Sequence, residues 1–231
     1  DLWYSEGHIN YYYGGQYFAV FLTKLSHTKV ELTYNLMRTF VAGLAFAMPF
    51  SLVYQMMSDR MKGLQKSEKV IKGLPFAAGF TAGTAVSIAG NMHYVIYAQI
   101  IPLIEKLTGK EVSSYWFPDA TRYIGYNPYR EEDRTIHEFP CYSFVLGDLH
   151  AHVVNIMFVL LVIAFLYVWL RGVRKKTVPV ETSMKDGKFW KEQLLMPHLL
   201  VISVLLGMFQ WTNFWDFVIY YVVTLGTVLF A

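Results

Sequence analysis

The chain has 231 residues, 55% of them hydrophobic and 16% charged, against roughly 45–50% and 25% in an average soluble domain. A net charge of +3 that gathers in short basic loops and a single cysteine, Cys141, exclude a soluble enzyme, a disordered linker, a nucleic-acid binder, an internal disulfide framework and a cysteine-based zinc site. What remains is an all-α, polytopic transmembrane helix bundle. The chain opens at Asp1 without Met or a signal-peptide pattern and stops at Ala231 inside an apolar run. It therefore reads as a piece of a longer protein.

In chain order, residues 1–35 form an outer loop with an aromatic stretch, Ile9 to Leu25. That stretch is either a short membrane helix or, preferably, an amphipathic helix on the outer surface, because Lys24, His27 and Lys29 give only a weak inside signal. Residues 36–104 hold transmembrane helices around a basic loop, 58–72. Leu36 to Met57 is the first span, and Pro49 inside it is tolerable in lipid. The loop after it carries Arg60, Lys62, Lys66, Lys69 and Lys72, an excess that reads as cytoplasmic. Leu74 to Ile104 is uncharged and too long for one helix, so one crossing plus an interfacial piece is expected. Its first half, to Gly90, is rich in the small residues that let membrane helices approach closely.

Residues 105–152 form an outer loop with aromatic and proline residues. Residues 153–231 are again transmembrane helices around a basic loop, 171–193. Val153 to Leu170 runs inward, Leu194 to Gln210 returns outward, Thr212 to Asp216 makes a narrow polar connection, and Phe217 to Ala231 starts back in. The protein is thus expected in the cell membrane as a multi-pass protein, with basic loops cytoplasmic and all the polar motif segments extracytoplasmic.

The densest chemical candidate is Glu138-Phe-Pro-Cys-Tyr-Ser-Phe-Val-Leu-Gly-Asp148-Leu-His150-Ala-His152. Ionisable groups at membrane depth are costly and face a cavity or a partner. If the helix already includes them, Asp148 and His152 are four apart and share a face, while His150 points elsewhere. That spacing suits a divalent cation, Mg or Mn, or an Asp-oriented His base; equally, all three residues cap the helix. In Gln210-Trp-Thr-Asn213-Phe-Trp-Asp216, Asn213 and Asp216 have the spacing of an N-cap and a third-position acid. Asp1, Trp3, Tyr4, Glu6, His8 and Tyr11-Tyr12-Tyr13 put aromatics beside acids, which stack on sugar faces or form an interfacial belt. Asn91 and His93 after Gly90 read as a polar kink. Arg122, Arg130 and Arg134 clamp a phosphate or pair with Glu131, Glu132 and Asp133.

Ile9-Asn10-Tyr11-Tyr12-Tyr13-Gly14, Gly90-Asn91, Glu138-Phe-Pro with Gly147-Asp-Leu-His-Ala-His152, and Thr212-Asn-Phe-Trp-Asp216 together resemble the YYY membrane proteins of archaea and Chloroflexi, the DUF2298 family. That family is in turn similar to the GT-C superfamily of integral-membrane glycosyltransferases. The resemblance implies transfer of a sugar from a polyprenyl-phosphate donor to an acceptor on the outer side of the membrane. By position it implies that Asp1, then Glu6, supplies the acidic group of the first outer loop. Asp148, His150 and His152 would join them in the catalytic set, with Asp148 and His152 as metal ligands. Trp3, His8, Tyr11, Tyr12, Tyr13, Arg122, Arg130, Arg134, Asn213 and Asp216 would hold substrate. The chain departs from the superfamily in lacking an adjacent acidic pair at Asp1. A non-catalytic membrane subunit or binding protein is the competing reading, and a transporter the third; the near absence of charge within the spans disfavours ion transport.

Overall fold

In the computed structural model, residues 6–7, 11–62, 64, 67–122, 124, 129, 131, 134–174, 187, 191 and 195–230 are described. Their regular structure is helical, with one isolated antiparallel bridge between Ile124 and Thr135. The chain divides into two compact units, Asp1–Leu44 with Leu149–Ala231, and Ala45–Asp148.

The first unit contains α1 (Gly14–Ser26), the start of α2 (Val30–Met61), α6 (Ala151–Arg174), α7 (Pro197–Thr212) and α8 (Phe214–Leu229). Its core is a seam in which Val162, Leu166 and Trp169 of α6 meet Leu199, Ile202, Leu206 and Phe209 of α7. The three- and four-residue steps keep these side chains on one stripe of each helix, the condition for close helix pairing. Phe217 and Tyr220 of α8 pack against the same cluster. Pro197 opens α7, where its missing N–H costs nothing. A single extended residue, Asn213 (φ −164°, ψ 102°), joins α7 to α8, so the polar connection expected over Thr212 to Asp216 shrinks to one residue.

At 13 residues, α1 is roughly 20 Å long, short of a hydrocarbon core of about 30 Å. It contacts α6 and α7, and its first two residues explain how. A Cβ on Gly14 would lie 2.5 Å from Thr212, and one on Gly15 2.9 Å from Val154. His27, in the left-handed region (φ 52°), ends the helix. Helix α2 then begins at Val30, six residues before the apolar run. There the Thr33 and Asn35 side chains donate to carbonyls one turn back, within the helix itself.

Of the described helices, α2 and α6 are long and apolar enough to cross a membrane; α7 and α8 are shorter apolar helices. The sequence pattern placed the α6 span at Val153 to Leu170, and the helix contains it with margin at both ends.

In the second unit, α2 continues and α3 (Glu68–Thr84) runs on into a π-helical turn, Ala85–Ala89. Pro75, Gly79 and Gly83 form a buried four-residue stripe on α3. Phe46, Phe50 and Tyr54 of α2 lie against Gly79 and Gly83. The small residues thus do what their composition suggested: the helices approach until ring and backbone touch. The uncharged run 74–104 breaks where its composition changes, with Gly90 at φ 51° and Met92 at φ 63°. A second π-helical turn, Val95–Ile100, leads into α4 (Ile101–Leu107). A 3-10 turn (Phe117–Thr121) and α5 (Pro140–Leu146) complete the unit.

Candidate functional site

The Gly-Asp-Leu-His-Ala-His element does not lie within a helix. Helix α6 starts at Ala151, and the His150 carbonyl accepts its first bonds, from the Val153 and Val154 N–H groups, both at 3.0 Å. Asp148 therefore precedes the helix, and the one-face argument for Asp148 and His152 loses its premise. Nor does His150 stand apart: its ring centroid is 5.0 Å from that of His152.

In the first unit, the tyrosine triplet meets these histidines. The Tyr11 hydroxyl lies 3.3 Å from His150 Nε2, and the two rings meet edge to face at 6.5 Å. Tyr12 and Tyr13 lie within 5.6 and 6.5 Å of the Tyr11 ring. The Gln16 side chain donates to the Leu149 carbonyl at 3.2 Å, fixing the strand of chain that carries His150. A phenol against an imidazole makes a hydrogen-bonded pair, and two half-buried imidazoles offer borderline nitrogen donors.

Also in the first unit, Asp216 is clasped from two sides. The Asn155 amide donates to Asp216 Oδ2 at 2.6 Å and the Asn213 amide to the same oxygen at 2.9 Å. Asn155 is fully buried in α6. Asn213 occupies the N-cap position of α8, but its side chain makes no capping bond to the backbone. The Asp216 carboxylate, a strong acceptor, takes both amide donors on one oxygen. Asn155 went unnoticed as a sequence signal, although an amide inside an apolar span is the kind of residue that marks a helix contact or a site.

In the second unit, Glu138 and Asp148 flank α5. Pro140 sits at its first turn, and Gly147 (φ 76°) ends it, so that the Gly147 and Asp148 N–H groups both bond the Ser143 carbonyl, at 2.8 and 2.9 Å. This return brings the two carboxylates within 4.8 Å of each other. Hard divalent cations such as Mg and Mn take oxygen donors of this kind, whereas the sequence spacing pointed to Asp148 with His152. Glu138 was present in the motif but absent from the site residues drawn from it.

Asn91 and His93 shape the break between the π-helical turns. Asn91 donates to the Ala120 carbonyl at 2.6 Å and accepts from the His93 N–H at 3.2 Å. His93 Nδ1 is 3.2 Å from the Tyr115 hydroxyl and its ring stacks on Tyr97. Burial, with the nearby Asp119 charge, pushes the Tyr115 phenol above its ordinary pKa. Glu105 is held below the usual carboxylate range by bonds from the Ser113 hydroxyl and N–H. Arg122 lies 4.4 Å over the Trp116 ring and Arg134 4.3 Å over that of Tyr129, both cation–π placements.

Glu6 is exposed. Asp1, Trp3, His8 and Arg130 lie outside the described residues. The structure thus brings together Tyr11, His150 and His152 in one unit, and Asn213 with Asp216 in the same unit.

The family model described as "Uncharacterized membrane protein (DUF2298)" matches residues 1–231. No curated protein and no solved structure matches the chain.

Proposed function

Because the chain belongs to the DUF2298 family of membrane proteins, we propose that it is an integral-membrane glycosyltransferase that moves a sugar from a polyprenyl-phosphate donor to an acceptor on the outer side of the membrane. The observation that carries this reading is the meeting of two motifs 139 residues apart, the tyrosine triplet and the His150–His152 element, at the Tyr11 hydroxyl. A phenol and two imidazoles brought together from segments far apart in the chain form a solvent-accessible cluster of the kind that chemistry uses. In this reading the fold is a GT-C-like polytopic bundle, with the basic loops near 58–72 and 171–193 cytoplasmic.

Asp1, or in its place Glu6, takes the proton of the acceptor hydroxyl. The freed oxygen attacks the anomeric carbon, a new C–O bond forms, and the bond to the donor phosphate breaks to release polyprenyl phosphate. Trp3, His8 and Tyr11 to Tyr13 stack on and orient the sugar, while Arg122, Arg130 and Arg134 offset the charge on the leaving phosphate. Asp148, His150 and His152 position the donor. Glu138 and Asp148 supply oxygens that would hold a divalent cation; such an ion neutralises phosphate charge. Asn213 and Asp216 fix the wall of the substrate site.

The test is transfer from a radiolabelled polyprenyl-phosphate hexose in membranes carrying the chain. Asp1→Asn and His150→Ala should each abolish transfer while the protein still inserts. Full activity in Asp1→Asn removes the base assignment, and no transfer by the unaltered protein favours the non-catalytic subunit.

A further inference from the structure

The second unit holds a cavity of about 500 Å³ at the helix break, whose walls include Ile88, Met92, Phe117, Phe139, Tyr142 and Val145. It has the size of a small-molecule site. We propose that this cavity holds the hydrocarbon chain of a membrane lipid. The inference stands whether or not the protein transfers a sugar.

Three observations on the wall converge on that occupant. The first is what the wall does with its polar groups. Asn91 spends its amide on the Ala120 carbonyl and its oxygen on the His93 N–H. The Thr121 hydroxyl donates to the Pro118 carbonyl at 2.8 Å, and the Thr121 carbonyl accepts from the His137 N–H at 3.0 Å. The Tyr94 hydroxyl accepts from Gln99 at 3.0 Å. A sugar or nucleotide entering here would exchange water for a largely apolar surface on which the Asn91 and Thr121 side chains are already engaged, at the desolvation cost of its hydroxyls. A hydrocarbon chain loses nothing on entry, and apolar cavities of this kind take hydrocarbon rather than water.

Backbone geometry is the second. The cavity exists because the helix is interrupted: π-helical turns stand on both sides, Gly90 has φ 51°, and Met92 has φ 63°. A positive φ is rare for a long side chain such as methionine and persists only where its surroundings hold it. Here it directs the chain around the opening. Phe117 and Tyr142, which both line the cavity, stack with ring centroids 5.1 Å apart, so part of the wall is aromatic carbon.

The third is the mouth. Ile88 is 60% and Val145 62% exposed. In a protein of a membrane family, such apolar rims meet lipid, so the chain that fills the cavity is at hand.

The whole chain would be reconstituted in phosphatidylcholine vesicles containing a phosphatidylcholine with a diazirine in one acyl chain, then irradiated and mapped by peptide mass spectrometry. Label should concentrate on residues 88–95 and 139–145 above its level on Val222, a residue 63% exposed on α8. Ile88→Trp and Val145→Trp, which fill the rim from exposed positions, should each lower the cavity label about tenfold and leave the α8 label unchanged. A label spread evenly over the apolar helices, or a cavity label indifferent to both substitutions, overturns the proposal. A second readout needs no variant. Cys141 lines the cavity and is the chain's single cysteine. Its alkylation by N-ethylmaleimide in short-chain detergent should slow when phosphatidylcholine is added and not when glucose 1-phosphate is added; the reverse pattern, or equal rates, refutes a hydrocarbon occupant.

Discussion

Replacing Gly83 by alanine tests the close approach of α2 and α3. The added Cβ would stand 2.9 Å from the Phe46 carbonyl oxygen and 2.9 Å from two of its ring carbons, where ordinary contact begins at 3.4 Å. Relief requires the helices to part by roughly 0.5 Å, because rotating the ring frees the ring carbons but not the carbonyl. A gap of that size forfeits about a quarter of each dispersion contact along the seam, including the Phe46–Phe80 and Phe50–Phe76 edge-to-face pairs. Overpacking of this kind costs about 1–3 kcal/mol. Alanine returns about 1 kcal/mol in helix propensity, leaving a net loss of about 1 kcal/mol. Gly73, on the same helix but with open space where its Cβ would go, is the control: Gly73→Ala should gain about 0.5–1 kcal/mol. The two variants should differ by about 2 kcal/mol in unfolding free energy, measured under identical detergent conditions by thermal or SDS titration. If Gly83→Ala is as stable as Gly73→Ala, the stripe is not a packing interface and the reasoning fails.

Asn155→Val should destabilise the first unit by about 1.5–3 kcal/mol, the range for a lost hydrogen bond to a charged group, and Asn155→Asp by more, since it sets a second carboxylate against Asp216; unfolding titrations of both variants check the order. Because Glu105 is held below the ordinary carboxylate range, its ionised form favours the folded loop. That contribution is complete above the unfolded pKa and is lost as pH falls through the folded one. Ser113→Ala removes the strongest of the bonds responsible and should move the Glu105 titration upward, read by carboxyl carbon NMR; an unchanged midpoint would mean that the Ser113 hydroxyl does not set it.

Much of the helical layout follows from hydropathy alone. The apolar runs around Leu36 to Met57 and Val153 to Leu170 fall inside α2 and α6, and the small-residue half of 74–104 forms the face that α2 touches. The change of composition after Gly90 marks the observed break. Local spacing left alternatives open at two places. Asp148 and His152 looked like neighbours on a helix, but Gly147 in the left-handed region stops α5 and delays α6 to Ala151. Asn213 takes the N-cap position that its spacing suggests, with no side-chain capping bond, and its amide donates to the Asp216 carboxylate.

Sequence by itself determined a membrane protein of the DUF2298 family, the segments that become helices, and which residues carry ionisable or aromatic groups, because burial in lipid and the helical period act on neighbours along the chain. It also gathered the tyrosine triplet and the Gly-Asp-Leu-His-Ala-His element as motifs of one family. Only the tertiary structure decided that Tyr11 touches His150 and that Asn155 holds Asp216 across 61 residues. It also decided that Asn91 and Thr121 are satisfied within the wall of an apolar cavity. A periodic pattern fixes which face of a helix is turned inward, but the neighbour that face meets depends on packing between segments far apart in the chain.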